Sequence, residues 1–349
     1  MAVYTTKDTD LTKVADAIRD KGGTTDKLSY PDGMVEAIEA IPSGGTDTLA
    51  EYISNSTYEY EVPATVTKLA NQAFRNMTRL TKISFKGKTE APNDSSLFNG
   101  CSNLVSADLK NLVMTNHIYM NYWFYQCSKL TSVDLTGLDT SSVITMNYMF
   151  SGCSVLPSID ITSLDTHKVT SLEGFAPYCG KLTSLDLSKF DCTSLTAINS
   201  LVTNDYSLIS IPGFTSMDLS KITSGNASTT FYGCTRLEWD KDYVNNSLKY
   251  IGTQCFYNCY LVKLKKISAV LESIGNSAFQ NCKALTTLWV PATCTSIGSS
   301  AFNGSGLTDF YTPLTERPSG WNANAFPSTV TIHYGVSEEE YDALISAAE

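Results

Sequence analysis

Aspartate is the residue whose type and spacing could do chemistry in this chain. Four aspartates recur at intervals of 26 residues, each just before the last apolar residue of an alternating segment: Asp108, Asp134, Asp160 and Asp186. If these segments are neighbouring strands, the carboxylates lie about 5 Å apart and repel one another. Either a bound cation or a basic partner offsets that repulsion, or each carboxylate accepts hydrogen bonds from the next coil's backbone or from serine and threonine hydroxyls. A second row is expected to cap Asx-type turns: Asp139, Asp165 and Asp191.

Residues suited to catalysis follow no recognised motif. The three histidines lie in separate segments, without a cysteine or carboxylate at ligand spacing: His117, His167 and His333. The sequence has no G-x-S-x-G elbow, P-loop or H-E-x-x-H motif. Two aspartates from neighbouring coils could approach glycosidase distances, but no pair is singled out. We therefore expect a protein that is not an enzyme and that uses no cofactor.

The cysteines share a repeated position. Of ten cysteines, seven fall at one repeat position or next to it: Cys101, Cys127, Cys153, Cys179, Cys234, Cys259 and Cys282. Met77 and Ser305 replace cysteine in sister copies, so the position accepts a small or soft side chain rather than a metal ligand. Since no C-x-x-C pair occurs, we predict reduced, buried thiols and no metal site.

Tyrosines are the better candidates for binding. Tyr125, Tyr232 and Tyr257 directly follow a recurring phenylalanine, and we predict that they face outward in one stripe. Rigid, amphipathic tyrosines flanked by serine and asparagine are typical of surfaces that recognise proteins or sugars. The alternative is that these rings merely cover the convex side of the molecule.

A repeated segment must position all of these residues. It reads FYQCSKLTSVDL from Phe124, and further copies begin at other phenylalanines: Phe74, Phe98, Phe150, Phe175, Phe231, Phe256, Phe279 and Phe302. A degenerate copy is expected around Leu201, and the array ends at Phe326. In LTSVDL the apolar side chains point inward and the polar ones face solvent. One coil cannot bury its own apolar side, so each strand must pair in parallel with strands of neighbouring coils.

Two stretches of the array carry a family resemblance. Residues 130–175 resemble 26-residue repeats of bacterial surface proteins, whose unit reads L-D-T-S-x-V-T-x-M-x-x-M-F. Residues 273–311 are similar to the 23-residue repeats of the BspA-like leucine-rich-repeat family. The resemblance implies a solenoid of stacked parallel β-strands with short helical or irregular connections, used for adhesion and for contact with proteins or glycans. The pattern weakens between Leu195 and Phe231, where we expect a bulge or an insertion.

The first 45 residues lie outside the array and predict two short helices. Their apolar stripes are Leu11, Val14 and Ile18 in the first, and Val35, Ile38 and Ile41 in the second. Such short helices need a partner, which is the first coil, other copies of the module, or another protein. Residues 10–41 are similar to an N-terminal module of bacteriophage tail and baseplate-associated proteins. That resemblance implies attachment through residues 1–45 to other virion proteins, or to itself as a homotrimer.

These patterns predict a helical attachment module at 1–45, a leucine-rich-repeat solenoid at 46–335 and a C-terminal capping helix at 336–349. The net charge of −10 argues against nucleic acid as a partner. No apolar run is long enough to span a membrane, and the N-terminus lacks the pattern of a signal peptide.

Together the two resemblances imply a non-enzymatic tail or baseplate protein. It would be assembled in the host cytoplasm, belong to the virion and bind a host surface protein or glycan. The alternatives are a bacterial or prophage-encoded adhesin-like repeat protein, or a polysaccharide-degrading tail protein.

Overall fold

The computed structural model describes residues 58–239 and 244–348, and it shows a stack of coils. Short strands recur along the stack: β1 (Tyr58–Val62), β2 (Leu80–Phe85), β3 (Thr89–Glu90), β4 (Ser106–Asp108), β5 (Leu112–Val113), β6 (Ser132–Asp134), β7 (Tyr250–Ile251), β8 (Ser273–Ile274), β9 (Thr287–Trp289), β10 (Ser296–Ile297), β11 (Asp309–Thr312), β12 (Gly320–Trp321) and β13 (Thr331–Tyr334). An α-helix, Glu338–Ala348, follows β13. Within the described ranges, no helix has the length and apolar character needed to cross a membrane.

Each strand pairs in parallel with an equivalent strand one coil away. The sheets run β1-β2-β4-β6, β7-β8-β10-β12 and β9-β11-β13, and β3 pairs with β5. Equivalent residues therefore form rows along the stack; Asp108, for example, pairs with Asp134. The predicted solenoid is confirmed, and any binding surface on it consists of such rows.

Phenylalanine rings form the centre of the stack. Near the start, Phe74, Phe98, Phe124 and Phe150 stack with ring centroids 5.4, 5.3 and 5.5 Å apart. Near the end, Phe256, Phe279, Phe302 and Phe326 stack at 5.2, 5.5 and 5.1 Å. Each ring packs on the next coil because one coil is too thin to bury it alone.

Two central coils have a register different from the predicted one. In regular coils the N–H at the phenylalanine position donates to a carbonyl of the next coil, that of the residue just before the next coil's phenylalanine. Phe124 N–H, for example, donates to the Met149 carbonyl (2.8 Å). Phe150 N–H donates to the carbonyl of Phe175 itself, so Ala176 and not Phe175 occupies the phenylalanine position.

The same rule locates the degenerate copy. Ala176 N–H donates to the Leu201 carbonyl, which places Val202 at the phenylalanine position of the next coil. The predicted start at Phe175 is wrong, because Phe175 lies one residue before the phenylalanine position. Its ring still fills the core, where it packs edge-on against Phe150 with the ring centroids 5.5 Å apart. The predicted insertion is confirmed, because Val202 N–H donates to the Thr230 carbonyl, 28 residues on, whereas Ala176 N–H donates to Leu201, 25 residues on. Two short 3₁₀ turns, Phe214–Ser216 and Ser224–Asn226, lie in this longer coil.

A tight turn follows each phenylalanine position. Its second residue has a left-handed backbone, with φ of 59° at Asn76, 80° at Gly152 and 64° at Asn281. Glycine and asparagine adopt this conformation most readily. The N–H of that residue donates to a carbonyl in the next coil, as Gln126 does to Ser151 at 2.8 Å. We call the five residues after each phenylalanine position the turn edge, which runs along the stack as a hydrogen-bonded surface.

The C-terminal helix begins at a capping box. Glu340 N–H donates to Ser337 Oγ (3.2 Å), and Ser337 N–H donates to Glu340 Oε2 (2.8 Å). The helix was expected over the open end of the sheet, but Tyr341 contacts Thr287 of β9 and Tyr311 of β11. The helix therefore lies across the outer face of the β9-β11-β13 sheet.

The buried Lys266 holds this helix in place. Its Nζ lies 2.8 Å from Glu338 Oε1 and 2.6 Å from Asp342 Oδ1. The predicted N-terminal helices and their stripes lie outside the described residues.

Candidate binding surface

A row of neutral thiols runs beside the phenylalanine rings. Each Sγ–H donates to the carbonyl at the phenylalanine position one coil earlier, as Cys127 does to Phe98 (3.2 Å) and Cys282 does to Phe256 (3.0 Å). Burial raises the pKa of Cys101 to about 12. All ten cysteines are free, and every one except the half-buried Cys192 is buried. The prediction that the cysteines of the repeated position are buried is confirmed.

One coil replaces the thiol by a carboxyl group. Asp205, three residues after Val202, occupies the row between Cys179 and Cys234 and is fully buried. Its Oδ1 accepts the N–H of Cys179 at 2.5 Å, and its Oδ2 has no hydrogen-bond partner. Burial raises the pKa of Asp205 well above its usual range, which favours the uncharged acid.

The two aspartate rows form the same kind of turn. Asp134 Oδ1 accepts the N–H of Thr136 at 3.0 Å and its hydroxyl at 2.6 Å, and Asp160 does the same with Thr162 at 3.0 and 2.7 Å. The other members accept the N–H two residues later, at 2.8 to 3.2 Å: Asp108, Asp186, Asp139, Asp165 and Asp191. The predicted Asx turns of the second row are confirmed. In the first row the expected threonine hydroxyls do donate, to Asp134 and Asp160. The backbone N–H donors belong to each aspartate's own coil, so the expectation of donors from the next coil's backbone is wrong.

These turns stabilise the charged carboxylates. The Thr136 hydroxyl and backbone N–H hold the pKa of Asp134 below its usual range, and Thr162 does the same for Asp160. Lys110 Nζ lies 2.8 Å from Asp108 Oδ2. Within residues 58–239 and 244–348, no group of three histidine, cysteine or acidic side chains is placed to hold a metal ion. Recognition of a partner by this row stays a prediction.

The predicted tyrosine stripe is one row of the turn edge. Tyr125, Tyr232 and Tyr257 each stand first in the turn edge of their coil, and each is half-buried. Tyr232 and Tyr257 lie in adjacent coils and stack at 4.9 Å. Tyr125 lies several coils away, packed edge-on against Tyr122 at 5.6 Å. The structure thus brings two of the three rings together, and other side chains fill the row between: Ser151, Pro177 and Thr203.

Three exposed tyrosines on the turn edge were missed by the sequence reasoning. Tyr178 is 55% exposed, Tyr206 is 56% exposed and Tyr260 is 40% exposed. For Tyr178 the signal that could have found it is Cys179: counted back three residues, the cysteine position places Ala176 at the phenylalanine position and Tyr178 in the turn edge. The coil of Tyr206 has Asp205 in place of the cysteine and offers no such signal.

The histidines remain apart. His167 Nδ1 lies 2.5 Å from Asp165 Oδ1 in an exposed turn, and His333 Nε2 lies 2.8 Å from Asp309 Oδ1. His117 is buried, and burial lowers its pKa. The structure therefore assembles no catalytic group from the three.

Parallel coils, rows of buried thiols and a hydrogen-bonded turn edge define a repeat solenoid. The family described as "BspA type Leucine rich repeat region (6 copies)" matches residues 51–176, 121–230 and 204–332. The chain belongs to this family. No curated protein matches its sequence.

Several solved structures are similar to this chain. A leucine-rich repeat protein from Bacteroides ovatus is 18% identical, with 79% of this chain and 91% of that chain covered and a TM-score of 0.27. A leucine rich cell surface protein from Faecalibacterium prausnitzii is 16% identical, with 82% and 81% covered and a TM-score of 0.30. The pneumococcal vaccine antigen PcpA is 14% identical, with 83% and 87% covered and a TM-score of 0.23. These likenesses concern the repeat fold alone.

Proposed function

We propose that this chain is a non-enzymatic, adhesin-like binding protein that contacts a cell-surface protein or glycan through its turn edge. The observation that carries the proposal is the exposure of Tyr178 and Tyr206 on adjacent coils, at 55% and 56%. Large aromatic rings are normally buried in the core of a solenoid, as the stacked phenylalanines are here. Exposed tyrosines give a binding surface a large contact area at a small cost in side-chain entropy.

The resemblance of residues 130–175 to repeats of bacterial surface proteins supports a place at a cell surface. The half-buried pair Tyr232 and Tyr257 extends the aromatic surface along the same edge. Asp108, Asp134, Asp160 and Asp186 form a separate acidic surface, which we propose for a basic partner.

Binding by the full chain to immobilised extracellular proteins, glycans and intact cells tests this proposal. Replacing Tyr178 and Tyr206 by serine should weaken the strongest interaction by at least about tenfold. Tyr119→Ser is the matched control, because this tyrosine is 40% exposed but lies outside the turn edge. Unchanged binding by the double variant, or no binding by the full chain, would refute the proposal.

A second candidate function is attachment to a bacteriophage tail or baseplate, with the solenoid as the part that reaches the host. It is favoured by the residue order of 10–41 and its two apolar stripes. Light scattering should then show a multimer for the full chain and a monomer when the chain starts at Thr46. A monomer in both cases would remove self-assembly, and failure to co-sediment with phage particles would remove the virion role.

A further inference from the structure

The turn edge has the opposite charge to the chain as a whole. The protein carries a net charge of −10. The turn edge of the coils from Phe74 to Phe302 contains one acidic residue, Asp205, and that residue is fully buried. The other charged residues there are all cationic: Arg75, Arg79, Lys129, Lys181, Arg236 and Lys283. This edge therefore offers a positive surface on an acidic protein, which attracts polyanions.

The cations recur at every second coil. Lys129, Lys181 and Arg236 each stand fifth in the turn edge, and all three are exposed. None of them joins an ion pair with another residue that the structure describes, although lysines elsewhere on the stack do so. Because one coil rises about 4.8 Å, neighbouring cations of this row lie about 10 Å apart.

The coils between and after these cations carry exposed apolar or aromatic side chains at the fourth or fifth place of the turn edge. Val155 lies between Lys129 and Lys181, Tyr206 between Lys181 and Arg236, and Tyr260 with Leu261 follows Arg236. Their exposed fractions are 38% for Val155, 56% for Tyr206, 40% for Tyr260 and 41% for Leu261. The edge thus alternates a cation with an exposed apolar contact.

Tyr178 indicates that packing in the core does not explain the exposed tyrosines of the turn edge. Its backbone has a φ of 62°, at a position where the flanking coils carry Gly152 and Asn204. A left-handed backbone is unfavourable for a bulky residue, and the 55% exposed ring gains little from burial in return. Contact with a ligand would account for an aromatic ring at this place.

We propose that the turn edge from Lys129 to Leu261 binds a linear anionic polysaccharide that carries one carboxylate on every second sugar. The inference rests on the proposed binding function and names its ligand class. One sugar advances along an extended chain by a distance comparable to one coil, so alternate carboxylates face alternate cations. The uncharged sugars between them place their apolar ring faces on the exposed tyrosines, as sugars do on aromatic rings.

Hyaluronan oligosaccharides are a suitable probe, because a uronic acid alternates with an uncharged amino sugar. The full chain should bind an oligosaccharide long enough to span the edge, and added salt should weaken that binding. Dextran, which has no charge, should not bind. Polyglutamate provides the charge of an acidic polypeptide without sugar rings, so it should bind much more weakly than hyaluronan.

Two sets of variants test whether binding depends on this row of cations rather than on positive charge anywhere on the protein. Replacing Lys129, Lys181 and Arg236 by glutamine should weaken hyaluronan binding by about tenfold. Replacing Tyr206 and Tyr260 by serine should produce a loss of similar size, without a change in salt dependence. The control replaces exposed lysines near the aspartate rows by glutamine and should bind as the parent does: Lys168, Lys189 and Lys221.

Three results would overturn the proposal: no binding of hyaluronan, equal losses in the control and the cation variant, or equal binding of polyglutamate. The last result would favour an acidic protein as the ligand. If the full chain binds another surface protein or glycan, and that binding depends on Tyr178 and Tyr206 but not on the three cations, the polysaccharide proposal fails while the general binding function stands. If it binds no partner at all, both fail.

Discussion

The buried Asp205 should make the stability of this protein depend on pH in a direction opposite to that of its exposed aspartates. Replacing it by asparagine keeps an oxygen for the Cys179 N–H and removes the titrating group. Replacing it by cysteine restores the thiol row between Cys179 and Cys234. Both variants therefore test one group in an otherwise unchanged coil.

The sign follows from the raised pKa of Asp205 in the folded chain. An unfolded aspartate loses its proton near pH 3.9, whereas the folded one retains it to higher pH. Above that point the folded state holds one more proton, so the free energy of unfolding falls by about 1.4 kcal/mol per pH unit. The loss ends once pH exceeds the folded pKa. The stabilisation is fully present only below the unfolded value.

Urea unfolding of the parent and both variants, at constant ionic strength across a pH series, measures this effect. The stability advantage of Asp205→Asn and Asp205→Cys over the parent should grow with pH from about pH 4, at up to about 1.4 kcal/mol per unit. Asp134→Asn is a control with the opposite sign, because its turn lowers the folded pKa and its contribution is lost on acidification. A stability difference independent of pH for both Asp205 variants would refute the reasoning.

Three further predictions concern the core and the C-terminal helix. A thiol reagent should label Cys192 in the folded chain and the other cysteines only after unfolding, as measured by mass spectrometry. Labelling of the other cysteines at a similar rate in the folded chain would contradict their burial. Phe124→Ala should lower the free energy of unfolding by about 3–5 kcal/mol, measured in urea, and a loss below about 1 kcal/mol would show that the ring stack contributes little. Replacing both Glu338 and Asp342 by alanine should destabilise the protein by about 1–3 kcal/mol more than Lys266→Met does, because the Lys266 side chain is only 6% exposed and its charge needs these partners. Equal melting temperatures of the two variants would contradict this prediction.

The repeat can be predicted from sequence because its residues recur at fixed spacing and each has one physical role. Phe124, Cys127 and Leu130 recur together because one stack needs a ring, a small filler and an inward apolar side chain in each coil. The Asx turns at Asp139 and Asp165 depend only on the residue two places later, so they too were predictable. The same holds for Ser337, whose capping partner lies three residues away.

The two central coils were not predictable in the same way. Ala176 and Val202 occupy positions that phenylalanine fills elsewhere, so residue type pointed to Phe175 instead. Cys179 is the one local sign of the first register, and in the second coil Asp205 replaces the cysteine as well. The hydrogen bonds between coils, such as the one from Ala176 N–H to the Leu201 carbonyl, establish the register there, and the place of Tyr206 on the turn edge followed only from them.

The sequence by itself determined the solenoid, its buried thiols and its local turns, since each of these depends on short spacing within one coil. The tertiary structure alone decided which residues lie side by side where the repeat is irregular. It placed the C-terminal helix across the β9-β11-β13 face, buried Asp205 among thiols and aligned Lys129, Lys181 and Arg236 in one exposed row. The physical reason is that neighbours in a row are one coil apart, and insertions or replaced core residues shift that distance without leaving a local mark.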